Sequence, residues 1–578
     1  MVKLSAIPVA AIFALIAGAT ALGGVTADTN VTSASPTTPF SQNKQNEPAI
    51  AVDAHSPQVL AAGANEEIDE QGCNGPSCPF TAGVGVSGVY FSFDSGHSWT
   101  QPMYTGWSAR ACMGGLPCTP KVGPIGTLPF YFENGLVSDG DPGVAFGPRR
   151  GAGGFSWANG SRLYYSNLTS NFSSAPGSEA FNGAEAIAVS RTDDVMTASK
   201  GGETGQSAWK QPVIISRQSG TTFSDKSQVW ADNASSSPFF GNVYVCWGRF
   251  QGQEKGRAAP AQLQVAVSTD GGDTWTEHPI GAAANNGQRN PLDGCTIRTD
   301  SKGNAYLFGI GTVSSSGKDH FELMSVSRNG GGSWSAPVAV VGVGPVTQPG
   351  LFDPVLGRTT IDGIAGARSD LAPAPSVDIA NGAPDGLDAT NRIVMSFVSG
   401  TINTQDVFFT ESTDFGATWK KPRPVETAGD HGIYTAPAIS PNGTDVYVVY
   451  NAFTNPYRAN TTDSRNLVGV VVHATASGDT GVTGAFSSIH RGADGDPRGT
   501  SQNGLTAEFL GDYVYATATR SFGAAVWNDA RNAADCPAVD AWRFSLRHGG
   551  GVTKPAPLSD CAAANFGNSD IYAFTNAP

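Results

Sequence analysis

Metal ligands are sparse in this chain. It has 8 histidines in 578 residues and no Cys-x-x-Cys pair, so a zinc site is not expected. Charged residues make up only 15%, and the balance is acidic, with a formal net charge of −14. That leaves no basic footprint for a nucleic acid, and the acidity reads as a contribution to solubility. No long amphipathic helical pattern runs anywhere, which argues against a helical bundle. Beyond the first residues no stretch of eighteen uninterrupted apolar residues occurs, so no membrane span is expected in the mature chain. Glycine, in contrast, is abundant, at 72 residues, the mark of a turn-rich β composition.

Residues 1–27 read as a secretory signal peptide. Lys3 supplies the charge, Leu4 to Leu22 the apolar stretch, and Ala19-Thr20-Ala21 or Val25-Thr26-Ala27 the small-residue cleavage site. Pro8 and Gly18 interrupt the stretch, which favours a cleaved leader over a membrane anchor. Residues 28–45, rich in Ser, Thr and Pro, read as a flexible lead-in. Export suits the eight cysteines, an even number that predicts disulfides. Local spacing favours Cys73 with Cys78 and Cys112 with Cys118; Cys246 and Cys295 stand in successive units and could bridge them, and Cys536 with Cys561 would then tie down the C-terminus.

Four segments repeat one pattern, Ser-x-Asp-x-Gly-x-Ser/Thr-Trp: SFDSGHSW at 92–99, STDGGDTW at 268–275, SRNGGGSW at 327–334 (Asn329 for Asp) and STDFGATW at 412–419. Each follows a β-like run, and its chemistry predicts a tight hairpin. The Asp or Asn bonds backbone N–H groups, Gly allows positive φ, and Trp plugs the turn. A second pattern runs between these segments. Apolar strands open at Glu47, Asp141, Asp225, Asp293, Arg368 and Asp370, Tyr434, and Glu508 with Asp512 and Tyr513, and successive openings lie 64 to 94 residues apart. That spacing fits one four-stranded sheet per unit. The expected fold is an all-β, seven-bladed β-propeller over residues 46–578, with six blades as the alternative and a disulfide-stapled loop insertion at about 65–137.

The eight-residue motif resembles the Asp-box, or BNR, repeat of the sialidase-like β-propellers, and GDYVYATATRSFGAAVWNDAR at 511–531 is similar to the closing blade of bacterial exo-sialidase-like proteins. The resemblance implies a secreted glycoside hydrolase acting on extracellular glycans. It also implies three arginines on a substrate carboxylate, an Asp acid/base and a Tyr–Glu nucleophile pair. The chain departs from that pattern: the family's N-terminal Phe/Tyr-Arg-Ile-Pro stretch is absent, and residues 40–60 contain no arginine. Rival readings are a polysaccharide lyase and a non-catalytic propeller that binds glycan or protein.

In a propeller the innermost strand openings converge on one face of the central channel. The candidate catalytic residues are therefore Asp141, Asp225 and Asp293 as acid/base, and Tyr434, Glu508 and Tyr513 as nucleophile or its partner. Arg298, Arg368, Glu47 and Asp512 are the candidates for substrate contact. Carboxylates crowded on one axis raise one another's pKa values. The same acids also suit turn-capping or a structural Ca²⁺, and no other cofactor is expected. Asp94, Asp270 and Asp414 are expected to serve the fold, with Arg531 as a structural partner of Asp529. Trp107, Tyr131, Phe132, Trp157, Tyr164, Tyr165 and Phe250 suit either sugar stacking or, preferentially, packing between blades. A monomer is expected.

Overall fold

The computed structural model describes residues 27–578 apart from 74, 115–117, 173–178, 252–260, 285–292, 312–320, 341–345, 362–366, 370, 458–459, 461–462, 477–481 and 509. The expected leader and Asp370 thus lie outside the described residues. Antiparallel sheets are arranged as seven blades around a channel, which removes the six-bladed alternative. The innermost strands, in chain order, are Gln45–Val52, Gly143–Gly151, Thr222–Ala231, Asp293–Thr299, Ser376–Ile379, His431–Ile439 and Tyr515–Ala518. Each touches the innermost strand of the next blade, and the seventh returns to the first. Blade 7 takes its outermost strand from the N-terminus: Thr29–Asn30 pairs with Asp570–Thr575. Arg531 fastens this closure, binding Asp28 with both terminal nitrogens (3.1 and 2.6 Å) and Asp529 as well.

Blades pack through apolar faces. Between blades 2 and 3, for example, Ile187, Val189, Val229, Val245 and Trp247 are buried together. Residues 65–137 contain Ser87–Ser92, the third strand of blade 1, as well as the hairpin Tyr104–Ser108 and Lys121–Ile125. The four disulfides join the four expected pairs, Cys246–Cys295 tying blade 3 to blade 4. Among the described residues no helix is long and apolar enough to cross a membrane.

The four Ser-x-Asp/Asn-x-Gly turns follow the third strands of blades 1, 3, 4 and 5, leading into a fourth strand in blades 3, 4 and 5 and into the single bridge Phe91–Thr100 in blade 1, and their bonds match the expectation. In the first, Asp94 accepts from the Ser92 hydroxyl (2.8 Å), the Ser98 N–H (2.9 Å) and the Ser98 hydroxyl (2.5 Å). Asp270 and Asp414 repeat this set on Thr274 and Thr418. Asn329 preserves the turn by reversing one bond, its amide donating to the Ser333 hydroxyl at 2.9 Å. The glycine is required twice over. Gly272, Gly331 and Gly416 have φ of 89°, 90° and 82°, and a Cβ on each would meet a side chain of the preceding blade, such as Val267 Cγ2 at 2.5 Å from Gly331. Each turn therefore fastens its blade to the one before it.

Candidate functional site

The innermost strands enter the channel through bulges. Register shifts separate Asn46 from Ala49, Asp225 from Gln228, and Asp293 from Thr296. At these entries Glu47, Asp141 and Lys226 adopt left-handed φ of 55°, 53° and 59°, and Gly294 and Gly511 take the equivalent conformation. A bulge re-aims a side chain out of the pleat, and a non-glycine residue in this region is strained unless its surroundings hold it. These bulges, together with the left-handed turns at Asp141 and Gly511 ahead of the inner strands of blades 2 and 7, deliver their side chains to one end of the channel. There a cavity of about 500 Å³ is lined by Glu47, Asp141, Asp225, Lys226, Asp293 and Asp512, with Arg368 from the segment before blade 5.

Lys226 lies at the centre of this cluster. Its Nζ is 3.0 Å from Glu47 Oε1, 3.2 Å from Asp141 Oδ2 and 2.8 Å from Asp512 Oδ2. Arg368 reaches the same Asp512 oxygen at 2.5 Å and Glu47 at 3.3 Å. Asn65 braces the cluster from blade 1, donating to Glu47 Oε2 (3.0 Å) and accepting the Asp141 N–H (2.8 Å). Asp225 and Asp293 each accept a local N–H, from Lys226 (3.0 Å) and Gly294 (2.8 Å) respectively. The turn-capping reading and the site reading of these two residues thus describe the same groups.

Burial splits the protonation states. Burial acts upward on Asp512, but the Arg368 guanidinium and the Lys226 ammonium outweigh it and hold the carboxyl well below its usual range. Burial pushes Asp293 up to about 7, with Asp512 and Asp141 adding to the effect while the Gly294 N–H and Lys226 oppose it. Glu47 is raised well above its usual value by burial and then by Asp141. The Lys226 ammonium stays charged because its surrounding carboxylates outweigh its own burial. One cavity therefore holds a carboxylate, Asp512, that stays ionised beside a carboxyl, Asp293, that keeps its proton up to about pH 7, the separation from which acid and base roles arise. Among the described residues, no group of three or more His, Cys, Asp or Glu is arranged to hold a metal.

The remaining candidates are distributed less tightly. Tyr513 borders a crevice of about 50 Å³ beside Lys226 and Asp512. Its hydroxyl is buried without a hydrogen-bond partner. Burial, then Glu47 and Asp141, raises this phenol well above its usual value, so it stays protonated. Tyr434 borders the same crevice, but its hydroxyl donates to the Arg368 carbonyl at 3.0 Å. Glu508 is buried and is not among the residues lining the mouth. Arg298 sits deeper, over the Trp230 ring, bonded to Gln228 at 2.9 Å and paired with Asp378 at 3.4 Å. It lines a separate cavity of about 200 Å³ at the opposite end of the channel, where Arg520, bound to Asp388 at 2.7 Å, also lies.

Three contributors escaped the sequence reading. Lys226 was hidden by its acidic neighbour in SDKSQ; its only local signal was a place at the bulge position, one residue past the chosen Asp225. Phe80, from a loop, and Phe352, from the short strand Leu351–Asp353, line the mouth and are 61% and 67% exposed. The aromatics considered in the sequence instead pack: Tyr131, Trp157, Tyr164, Tyr165 and Phe250 are buried, and Trp107 stacks on Phe132 with ring centroids 4.7 Å apart.

No protein-family model matches the chain, and no curated protein does. Among solved structures it is similar to a Hadza microbial sialidase, with 13% identity and a TM-score of 0.39 over 70% of this chain and 63% of that one. It is similar also to Trypanosoma rangeli sialidase in complex with 2,3-difluorosialic acid, with 12% identity and a TM-score of 0.37 over 78% and 56%. A third is an α-L-arabinofuranosidase from Fusarium graminearum, with 10% identity and a TM-score of 0.34 over 75% and 92%. The chain thus spans less than two thirds of the length of either sialidase.

Proposed function

We propose that this chain is an exported Asp-box propeller that hydrolyses a glycosidic bond of an extracellular glycan at its acidic mouth. The observation that carries the reading is the split between Asp512, held ionised, and Asp293, raised to about 7, in one cavity. Glycoside hydrolysis needs such a pair: a protonated carboxyl that gives its proton to the leaving oxygen, and a carboxylate on the other face of the sugar. Asp293 takes the first role. Asp512 takes the second, activating a water or attacking the anomeric carbon itself. Asp293 and Asp512 line the same cavity, and the charge of Asp512 reaches Asp293. The protonated Tyr513 phenol lies beside the cluster as a donor for a ring hydroxyl.

One observation favours a second reading, glycan binding without turnover: Lys226 and Arg368 already neutralise the carboxylates a hydrolase would use. A panel of aryl-glycosides separates the two. Hydrolysis of at least one member is expected, and Asp293→Asn should lower kcat about 10²- to 10⁴-fold with the melting curve preserved. Absence of turnover on every member, or an Asp293→Asn protein as active as the parent, would defeat the hydrolytic reading.

A further inference from the structure

We infer that the sugar unit held at this mouth carries no carboxylate: it is a neutral, hydroxyl-rich or amino-bearing glycosyl unit. The inference rests on the glycan reading above and sharpens it through the disposition of the cations. Among the described residues, seven carboxyls and three cations line the cavity. Lys226 is bound by three of those carboxyls, and Arg368 by Asp512 and Glu47. The third cation, Arg358, also places its charge on Asp512. Capturing a sugar carboxylate takes a guanidinium edge with two N–H groups free to point at it. Here an acidic sugar would have to displace buried ion pairs while meeting uncompensated like charge, and both steps are unfavourable. Arg298 and Arg520 do not change this, because both are paired and line the opposite end of the channel.

The unfilled groups at the mouth point the same way. Asp512 is 5% exposed, yet its Oδ1 has no hydrogen-bond partner, and the Tyr513 hydroxyl is buried in the same condition. A buried acceptor without a donor calls for one, and sugar hydroxyls or an ammonium supply it. At the rim, Phe80 and Phe352 present exposed rings from two separate insertions, suited to the apolar C–H face of a sugar ring. The negative potential of the carboxyls further favours an amino substituent.

The test measures binding and hydrolysis separately. Calorimetric titration of the full-length secreted protein would use the methyl glycosides of a neutral pentose, a neutral hexose, glucosamine, sialic acid and glucuronic acid, with the aryl counterparts assayed for cleavage. A neutral or amino glycoside is expected to bind at least tenfold more tightly than either acidic one. In Asp512→Asn, which releases Arg368 and Lys226 from one carboxylate, that preference should shrink. Preferential binding without cleavage would count against hydrolysis while leaving this inference standing. An acidic glycoside that binds or is cleaved as well as the others would overturn it, as would failure of all five to bind.

Discussion

Lys226 holds together a group of carboxylates that would otherwise repel one another. It does so from a left-handed bulge position, with its side chain largely buried. Removing one partner of a buried ion pair typically costs about 3–5 kcal/mol, and here three carboxylates lose their counterion together. Lys226→Met should therefore lower the melting temperature, and more at pH 8 than at pH 5, because the stranded carboxyls take up protons in acid. An equal loss at both pH values would contradict the arrangement described. Asp293 sets a second expectation. A general acid raised to about 7 is protonated below that pH, so kcat/KM should fall as pH rises through about 7. Asp512 stays ionised far into acid and places no limb near neutrality. A pH–rate profile on a responsive aryl-glycoside checks both statements. Of these residues the acids were legible in sequence, because acids at strand openings are few; Lys226 was not, because its importance lies in partners 85 to 286 residues away in the chain.

At the scale of elements, the eight-residue turn is a fastener rather than a reactive site. Hydrogen bonds from Ser98, Thr274 and Thr418, among others, outweigh the effect of burial and lower Asp94, Asp270 and Asp414, so each carboxylate is committed to its own turn. In blade 4, Gly331→Ala would force a Cβ into a left-handed position at 2.5 Å from Val267 Cγ2. Strain and overpacking together should cost about 2–4 kcal/mol. Calorimetry should show that loss while binding at the mouth is unchanged, since the turn lies at the outer edge of the blade. A Gly331→Ala protein of parental stability would remove the fastening role. This element was readable from sequence because its bonds close within eight residues. The inserted segments were not: Phe80, from a loop, and Phe352, from a two-stranded hairpin, reach the mouth only through the path those segments take over the ring.

At the scale of the molecule, closure of the ring buries carboxyls on a large scale. Burial raises Glu66 and Asp232 to about 7, as it does Asp293, and Glu426 to about 9. These groups hold protons in the folded state at pH values where the unfolded chain has released them. The folded state binds more protons, so stability should decline as pH rises from about 4 through 7. Asp232→Asn should flatten part of that decline, as melting temperatures across the range would show; a stability that climbs steadily toward pH 7 would contradict the assignment.

The repeat, the number of inner-strand openings, the two locally spaced disulfides and the end of the channel at which acids gather are all legible in the chain. Each of these follows from short-range chemistry: a turn that satisfies its own bonds, a strand with its own period, cysteines spaced to meet. The closed ring settles which acids keep their protons, that Lys226 and Arg368 are already engaged, that Arg298 lines the opposite end of the channel, and that the Tyr434 hydroxyl is committed to the Arg368 carbonyl. Those outcomes depend on burial and on charges brought together from separate blades, and both quantities exist only once the ring has closed.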